Sequence, residues 1–264
     1  MKFDVNGHTA FASTGGRVHQ PGNPNLVFVH GSGQSRLTWT QQSRKAAYRG
    51  YNVLALDLPG HGHSTGEALA TIEAQADWII NAMDAVGFET ATFIGHSQGC
   101  LNVLEIASRY ADRTDKIVLI AAALKIPVND MLVDWALNKP ARAYSAMTGW
   151  GHGALGHKHD NTVPGHSHLG GGINIMTMNA PGTLHSDLTA CNAYQNGANA
   201  AEKITCPALV VLAEDDKMTP IKFGRKMLDA IENAEGVEFA DTGHFVPVER
   251  PQMLNETIFE FLER

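Results

Sequence analysis

Apolar residues in this chain gather into short runs separated by stretches of helical period. The runs at 26–29, 52–56, 91–94, 116–121, 208–212 and 237–239 carry few polar residues, as strands covered on both faces do. Between most of them apolar side chains recur every three or four residues: Ile72, Ala76, Ile79, Ile80 and Met83; Cys100, Val103, Leu104 and Ala107; Phe223, Met227 and Ile231; Leu254, Ile258, Phe261 and Leu262. Each set predicts a helix with one buried face. At the start, 3–5 and 8–12 flank Asn6-Gly7, a dipeptide suited to the positive φ angles of a two-residue hairpin. The alternation predicts an α/β fold: a mainly parallel central sheet with helices on both faces, opened by a hairpin.

The alternation lapses between about 125 and 200. Helical fragments such as 129–138 lead into a glycine- and histidine-rich stretch at 149–172, and strand character returns only after Pro207. So long an excursion between core strands reads as an insertion that projects over the carboxyl edge of the sheet as a lid. No low-complexity linker divides the 264 residues, so 1–264 is expected to be a single domain with the lid, 125–200, inside it.

Bulk properties narrow the function classes. The chain is 44% hydrophobic and has no apolar stretch approaching a membrane span. Its net charge of −7 comes from dispersed acids without a basic run, which argues against a nucleic-acid partner. Cys100, Cys191 and Cys206 are odd in number and widely spaced, which suits a reducing compartment. With an amino terminus that lacks an apolar signal core, the expectation is a cytoplasmic protein.

The chemistry concentrates where one strand-like run meets one helix-like run, at Gly95-His96-Ser97-Gln98-Gly99. A serine alcohol is a poor nucleophile unless the backbone exposes it beside a base and N–H donors. A tight strand-to-helix turn does so, and it requires nearly bare positions two residues before and after the serine. A second copy, Gly62-His63-Ser64-Thr65-Gly66, follows the turn-rich 57–61 rather than a strand, so Ser97 is the candidate nucleophile. Among thirteen histidines, His244 lies in a loop after the last strand candidate and before the last helix. That is another strand carboxyl end, from which a base can reach Ser97. The carboxylate that orients it should come from the loop after 208–212, where Glu214, Asp215 and Asp216 compete.

With Val29-His30-Gly31-Ser32-Gly33, Asp57-Leu58-Pro59-Gly60-His61-Gly62-His63-Ser64, Gly95 to Gly99, Asp215 to Pro220 and Gly243-His244 in this order, the whole chain resembles the α/β-hydrolase superfamily, and within it the lid-bearing, esterase-like branch. The resemblance implies the order nucleophile, acid, base. It selects Asp216, four residues before Pro220, with Asp215 in reserve. It also implies an oxyanion hole from the backbone N–H groups of Ser32 and Gln98, a structural turn at Asp57 and His61, and no cofactor.

The expected activity is hydrolysis of a small-molecule carboxylic ester through an acyl-enzyme. Carbon–carbon cleavage of a vinylogous diketone is the alternative, because His30-Gly31-Ser32-Gly33 is similar to that branch's oxyanion loop. Thioester hydrolysis and perhydrolysis use the same intermediate, and a noncatalytic binding protein on the same fold is a further reading. Serine at 97 argues against the branches that use an aspartate nucleophile. His152, His157, His159, His166 and His168 raise the question of a metal, but the glycine content and the single carboxylate, Asp160, favour a solvated segment, and no metal is expected. Met131, Leu132, Trp135, Met147, Trp150, Met176 and Met178 serve either an acyl pocket or the lid's own core.

Overall fold

The structure, a computed structural model, describes residues 1–157 and 167–264. Its strands are β1 (Lys2–Val5), β2 (His8–Ser13), β3 (Asn25–Val29), β4 (Asn52–Asp57), β5 (Ala91–His96), β6 (Thr114–Ile120), β7 (Ala208–Ala213) and β8 (Ala234–Phe239). They form one sheet in the order β1-β2-β4-β3-β5-β6-β7-β8. The hairpin joins antiparallel and every pair from β4 to β8 is parallel. Asn6 and Gly7 both take positive φ in the hairpin turn, as that dipeptide predicts.

Around the sheet lie α1 (Thr40–Tyr48), α2 (Ile72–Val86) and α3 (Gln98–Arg109). Between β6 and β7 comes a helical insertion: α4 (Asp130–Asn138), α5 (Pro140–Gly151), α6 (Ala154–His157), α7 (His168–Thr177), α8 (Thr183–Ala193) and α9 (Gly197–Ala201). The chain closes with α10 (Ile221–Ala230), the short α11 (Val246–Glu249) and α12 (Pro251–Leu262).

The buried runs split by alternation, as strand geometry requires. Val27, Val29, Leu54, Leu56, Phe93 and Leu119 pack with α2 and α3 in one apolar cluster. Leu26, Phe28, Val53, Ala55, Ile94 and Val118 pack with α1 and α12 in another. The predicted helical faces are buried except at Leu262, half-buried at the end of α12, and at Phe223, which is 38% exposed while Met227 on the same helix is fully covered. α10 therefore rests on a narrower stripe than its pattern implies.

The insertion has its own apolar cluster, built from Leu132, Ala136, Ala143, Met147, Met176, Leu184 and Leu188. Hydrogen bonds stitch it to the turn after β4 and the loop after β3. Ala180 N–H and the Thr183 hydroxyl donate to Gly60 O at 2.9 and 3.0 Å, and Asn179 Nδ2 donates to Gly33 O at 2.7 Å. Among the described residues no helix is long and apolar enough to cross a membrane.

β3 lies between β4 and β5, so successive connections leave it in opposite directions. That reversal opens a crevice at the carboxyl ends of β3 and β5, where ligands meet sheets of this kind.

Candidate active site

Ser97 follows β5 at φ 54° and ψ −121° and is the residue from which α3 starts. A non-glycine residue held at positive φ is strained, and here the strain lifts the side chain out of the strand-to-helix turn. The glycines around it are explained by close approach. A Cβ on Gly95 would come within 2.6 Å of Gly99 O, and one on Gly99 within 2.3 Å of Val29 O and 2.8 Å of His30 O. Because the obstructing atoms at Gly99 are backbone, Gly99→Ala is expected to cost about 1–3 kcal/mol. Thermal denaturation should show a melting temperature lower by roughly 3–10 °C.

The second serine motif is structural. Ser64 Oγ donates to Asp57 O at 2.7 Å and accepts the Phe11 N–H at 2.9 Å. Asp57 takes the N–H groups of Arg36 and His63 at 2.8 and 3.0 Å and pairs with the Arg36 guanidinium. The turn reading thus holds for Asp57. His61 serves the turn through Nδ1, 3.0 Å from Pro59 O, and also reaches beyond it, with Nε2 2.9 Å from Asp187 of α8.

His244 Nδ1 lies 2.8 Å from Asp216 Oδ2, and both side chains are buried. Asp216 Oδ1 accepts the N–H groups of Met218 and Thr219, each at 2.8 Å, and Oδ2 accepts the Thr219 hydroxyl at 2.7 Å. Burial alone would raise the pKa of this carboxyl. The His244 ring and the Thr219 hydrogen bonds together outweigh burial and hold it below the ordinary carboxylate value. Glu214 and Asp215 remain exposed. The loop after β7 therefore presents Asp216 to the imidazole.

Two contacts bring the His244 loop to the serine. His96 Nε2 donates to His244 O at 2.8 Å, with the ring centroids 4.8 Å apart. The acceptor is a carbonyl, so Nε2 carries the proton of a neutral ring; burial, then His244, push the His96 pKa down to about 3. From the insertion, Gly151 O accepts His244 N–H at 2.6 Å. Glu249, buried, accepts the N–H groups of Gly153, Phe245 and Gly243 at 2.9, 3.1 and 3.2 Å. Among the described residues the Ser97 hydroxyl makes no hydrogen bond to the His244 ring; contacts of this kind commonly tighten only when substrate is bound.

Ser97 and His244 line one cavity of about 400 Å³, with Gly31, Ser32, Gln34 and His96 on the sheet side. Ile126, Val128, Leu132, Met147, Trp150, Leu188, Met218 and Phe245 supply an apolar wall, to which Lys217 adds a cation. Leu132 and Met147 belong both to this wall and to the insertion's cluster; Met176 belongs to the cluster, and Met131 and Met178 are exposed.

Ser32 lines the cavity and is joined to the buried Gln98. Ser32 Oγ donates to Gln98 Oε1 at 2.5 Å, so the hydroxyl serves the loop. Gly31 has little room for a side chain, since a Cβ there would meet Ser97 Cβ at 3.0 Å and His96 O at 3.2 Å, closer than such contacts usually come. Gln98 is the first residue of α3, where N–H groups have no partner inside the helix and the dipole favours negative charge.

The residues described contain no group of three His, Cys, Asp or Glu placed to hold a metal. His159 and His166 lie outside the described residues. His152 and His168 stack with centroids 5.7 Å apart, and His152 also stacks on Phe245 at 4.7 Å.

Sequence reasoning missed Asp187 and Glu249. Asp187 had one usable signal: it shares the apolar stripe of Leu184, Leu188 and Cys191 on α8, where an acid must find a partner.

A family model described as the alpha/beta hydrolase family matches residues 26–257. The chain belongs to that family. This α/β hydrolase is 24% identical over 277 residues to the 2-hydroxy-6-oxononadienedioate/2-hydroxy-6-oxononatrienedioate hydrolase of Paraburkholderia phymatum, covering 93% of this chain and 91% of that one. It is 23% identical over 251 residues to the (E)-2-((N-methylformamido)methylene)succinate hydrolase of Acinetobacter baylyi, covering 90% of each. Among solved structures, the enol-lactonase from Burkholderia xenovorans LB400 superposes with a TM-score of 0.89 at 25% identity over the full length of both chains. A thermophilic esterase from Thermogutta terrifontis gives 0.83 at 20% identity, covering 100% of this hydrolase and 97% of that chain, and shares the fold.

Proposed function

We propose that this hydrolase cleaves a carboxylic ester through an acyl-enzyme on Ser97. In this reading His244 takes the serine proton as Ser97 attacks the carbonyl carbon, and Asp216 holds the ring in the tautomer that can accept it. The carbonyl oxygen becomes an oxyanion between the N–H groups of Ser32 and Gln98, and His244 passes its proton to the departing alcohol. Water, deprotonated by the same ring, then releases the acid. The helical insertion serves as a lid that supplies the acyl wall.

The observation that carries this reading is the Asp216–His244 pair at 2.8 Å, opening with Ser97 into one apolar cavity. Ester hydrolysis is favoured over diketone cleavage by that wall. A dienedioate, such as the Paraburkholderia phymatum relative's name describes, brings two carboxylates, whereas Lys217 is the only lysine or arginine among the described lining residues. The test is turnover of p-nitrophenyl acetate and butyrate, run beside thioesters and dienone diketones; turnover of the diketones alone would replace the ester reading.

The wall also predicts chain-length control. Trp150 lines the cavity and is 40% exposed, so its removal lengthens the acyl site toward solvent. Trp150→Ala is expected to raise the octanoate-to-butyrate ratio of kcat/KM about tenfold, measured with the p-nitrophenyl esters.

A further inference from the structure

The turn after β4 holds a second buried imidazole–carboxylate pair, which the proposed mechanism does not use. His61 Nε2 is 2.9 Å from Asp187 Oδ2 and Nδ1 is 3.0 Å from Pro59 O, with both side chains at most 2% exposed. Each ring nitrogen thus faces an atom that can only accept. A neutral imidazole has one N–H, so only the imidazolium satisfies both contacts.

The surroundings agree with that charge. Burial alone would lower the His61 pKa, but the charge and hydrogen bond of Asp187 outweigh it and raise the pKa, with Asp57 adding to the rise. His30 faces the same ring at 4.6 Å between centroids; it is neutral, because burial, then His61, push its pKa to about 4. On the other side, Cys191 of α8 stays a thiol next to Asp187, its pKa pushed up by burial first.

What Asp187 holds gives the pair its meaning. Its Oδ2 also accepts the Gly33 N–H at 2.7 Å, and Oδ1 accepts Gln98 Nε2 at 3.4 Å. Gln98 is fixed further by the Ser32 hydroxyl and by Gln75 Oε1 at 2.8 Å. A single carboxylate from the insertion therefore grips the loop that carries one proposed oxyanion donor and the side chain of the residue that carries the other.

We propose that the His61–Asp187 ion pair is the positioning element of the oxyanion hole, joining the docked lid to the Ser32 and Gln98 N–H groups. The inference rests on the ester-hydrolase reading. While His61 is charged, Asp187 is held in place and the loop from Gly31 to Gly33 is pinned. Once His61 loses its proton, one ring nitrogen turns a lone pair toward an acceptor and the loop slackens. kcat then falls on the alkaline side through the pKa of His61, with KM little changed, because the oxyanion exists only during reaction.

The experiment combines kinetics on p-nitrophenyl butyrate from pH 6 to 10, inhibition by an aryl trifluoromethyl ketone and the ¹⁵N NMR spectrum of the His61 ring. Asp187→Ala is expected to lower kcat about 10²-fold with KM within about twofold, and to weaken the ketone, whose adduct places an oxyanion in the hole, by a similar factor. Asp187→Asn, which keeps an acceptor for Gly33 but removes the counter-charge that keeps His61 protonated, should hold kcat throughout at the low level the wild type reaches at alkaline pH, with no alkaline limb of its own. Ketone affinity unchanged in Asp187→Ala overturns the proposal, as does an alkaline limb that survives in Asp187→Asn. If Asp187→Ala does not fold, the Asn variant carries the same decision. The NMR arm stands apart from turnover: both His61 nitrogens should be protonated at pH 7, and a neutral ring there overturns the ion pair even if no ester is a substrate. A wild type that hydrolyses no ester while its His61 is charged removes the ester reading instead, and with it the oxyanion role.

Discussion

Ser97→Ala is expected to lower kcat toward p-nitrophenyl butyrate by about 10⁵- to 10⁶-fold, the scale on which removing a serine nucleophile acts when its partners work as one unit. The fold should be untouched. Ser97 sits at a strained φ of 54°, which alanine tolerates no worse than serine, and the hydroxyl supports no structural hydrogen bond among the described residues. Melting temperature within about 2 °C of the wild type, together with loss of labelling by a fluorophosphonate probe, would complete the result. Turnover that survives the substitution would mean that another group attacks the substrate.

Asp216→Asn should cost about 10⁴-fold in kcat, the size expected when the base loses the partner that fixes its tautomer. Asp215→Asn, one residue away and exposed, should change kcat by less than about twofold, because it reaches neither His244 nor the cavity. The contrast assigns the carboxylate. Stability carries a second mark of the same pair. The Asp216 pKa is depressed in the folded protein, so its contribution is fully present above the ordinary carboxylate value and is lost as pH falls through the depressed value. Acid unfolding followed by circular dichroism should therefore begin at higher pH in Asp216→Asn than in the wild type.

The sheet was legible because its central strands are buried on both faces and so appear as apolar runs. The edge strand was less so. β8 starts at Ala234, three residues before the run at 237–239; Glu235, half-buried, and Glu238, exposed, point to opposite faces of this edge strand and interrupt its apolar character. Ser97 and His244 were legible from their places after strands. Asp216 was separated from its two acidic neighbours only through the family resemblance; in the fold the difference is that Thr219, three residues on, bonds its carboxylate and helps hold it toward the ring. His61 and Asp187 are 126 positions apart in the chain. No periodicity joins such a pair, and the turn around His61 offered a sufficient local explanation of that residue. What the histidine-rich stretch does was not legible in composition, since His152 and His168 are used in ring stacking while others lie outside the described residues.

Leu132, Met147 and Leu188 form the wall of the substrate cavity and also the small apolar cluster that holds the insertion together. Selectivity and durability therefore draw on the same side chains. Trimming any of the three to admit a bulkier acyl group removes packing from a cluster with few members, at about 2–5 kcal/mol for a leucine or methionine cut to alanine. Trp150, which borders the cavity and meets the cluster only through Trp135 at its margin, with ring centroids 6.5 Å apart, is less bound by this trade-off. Divergence toward new substrates thus has an inexpensive route through position 150, and compensating mutations elsewhere should accompany changes at the other three.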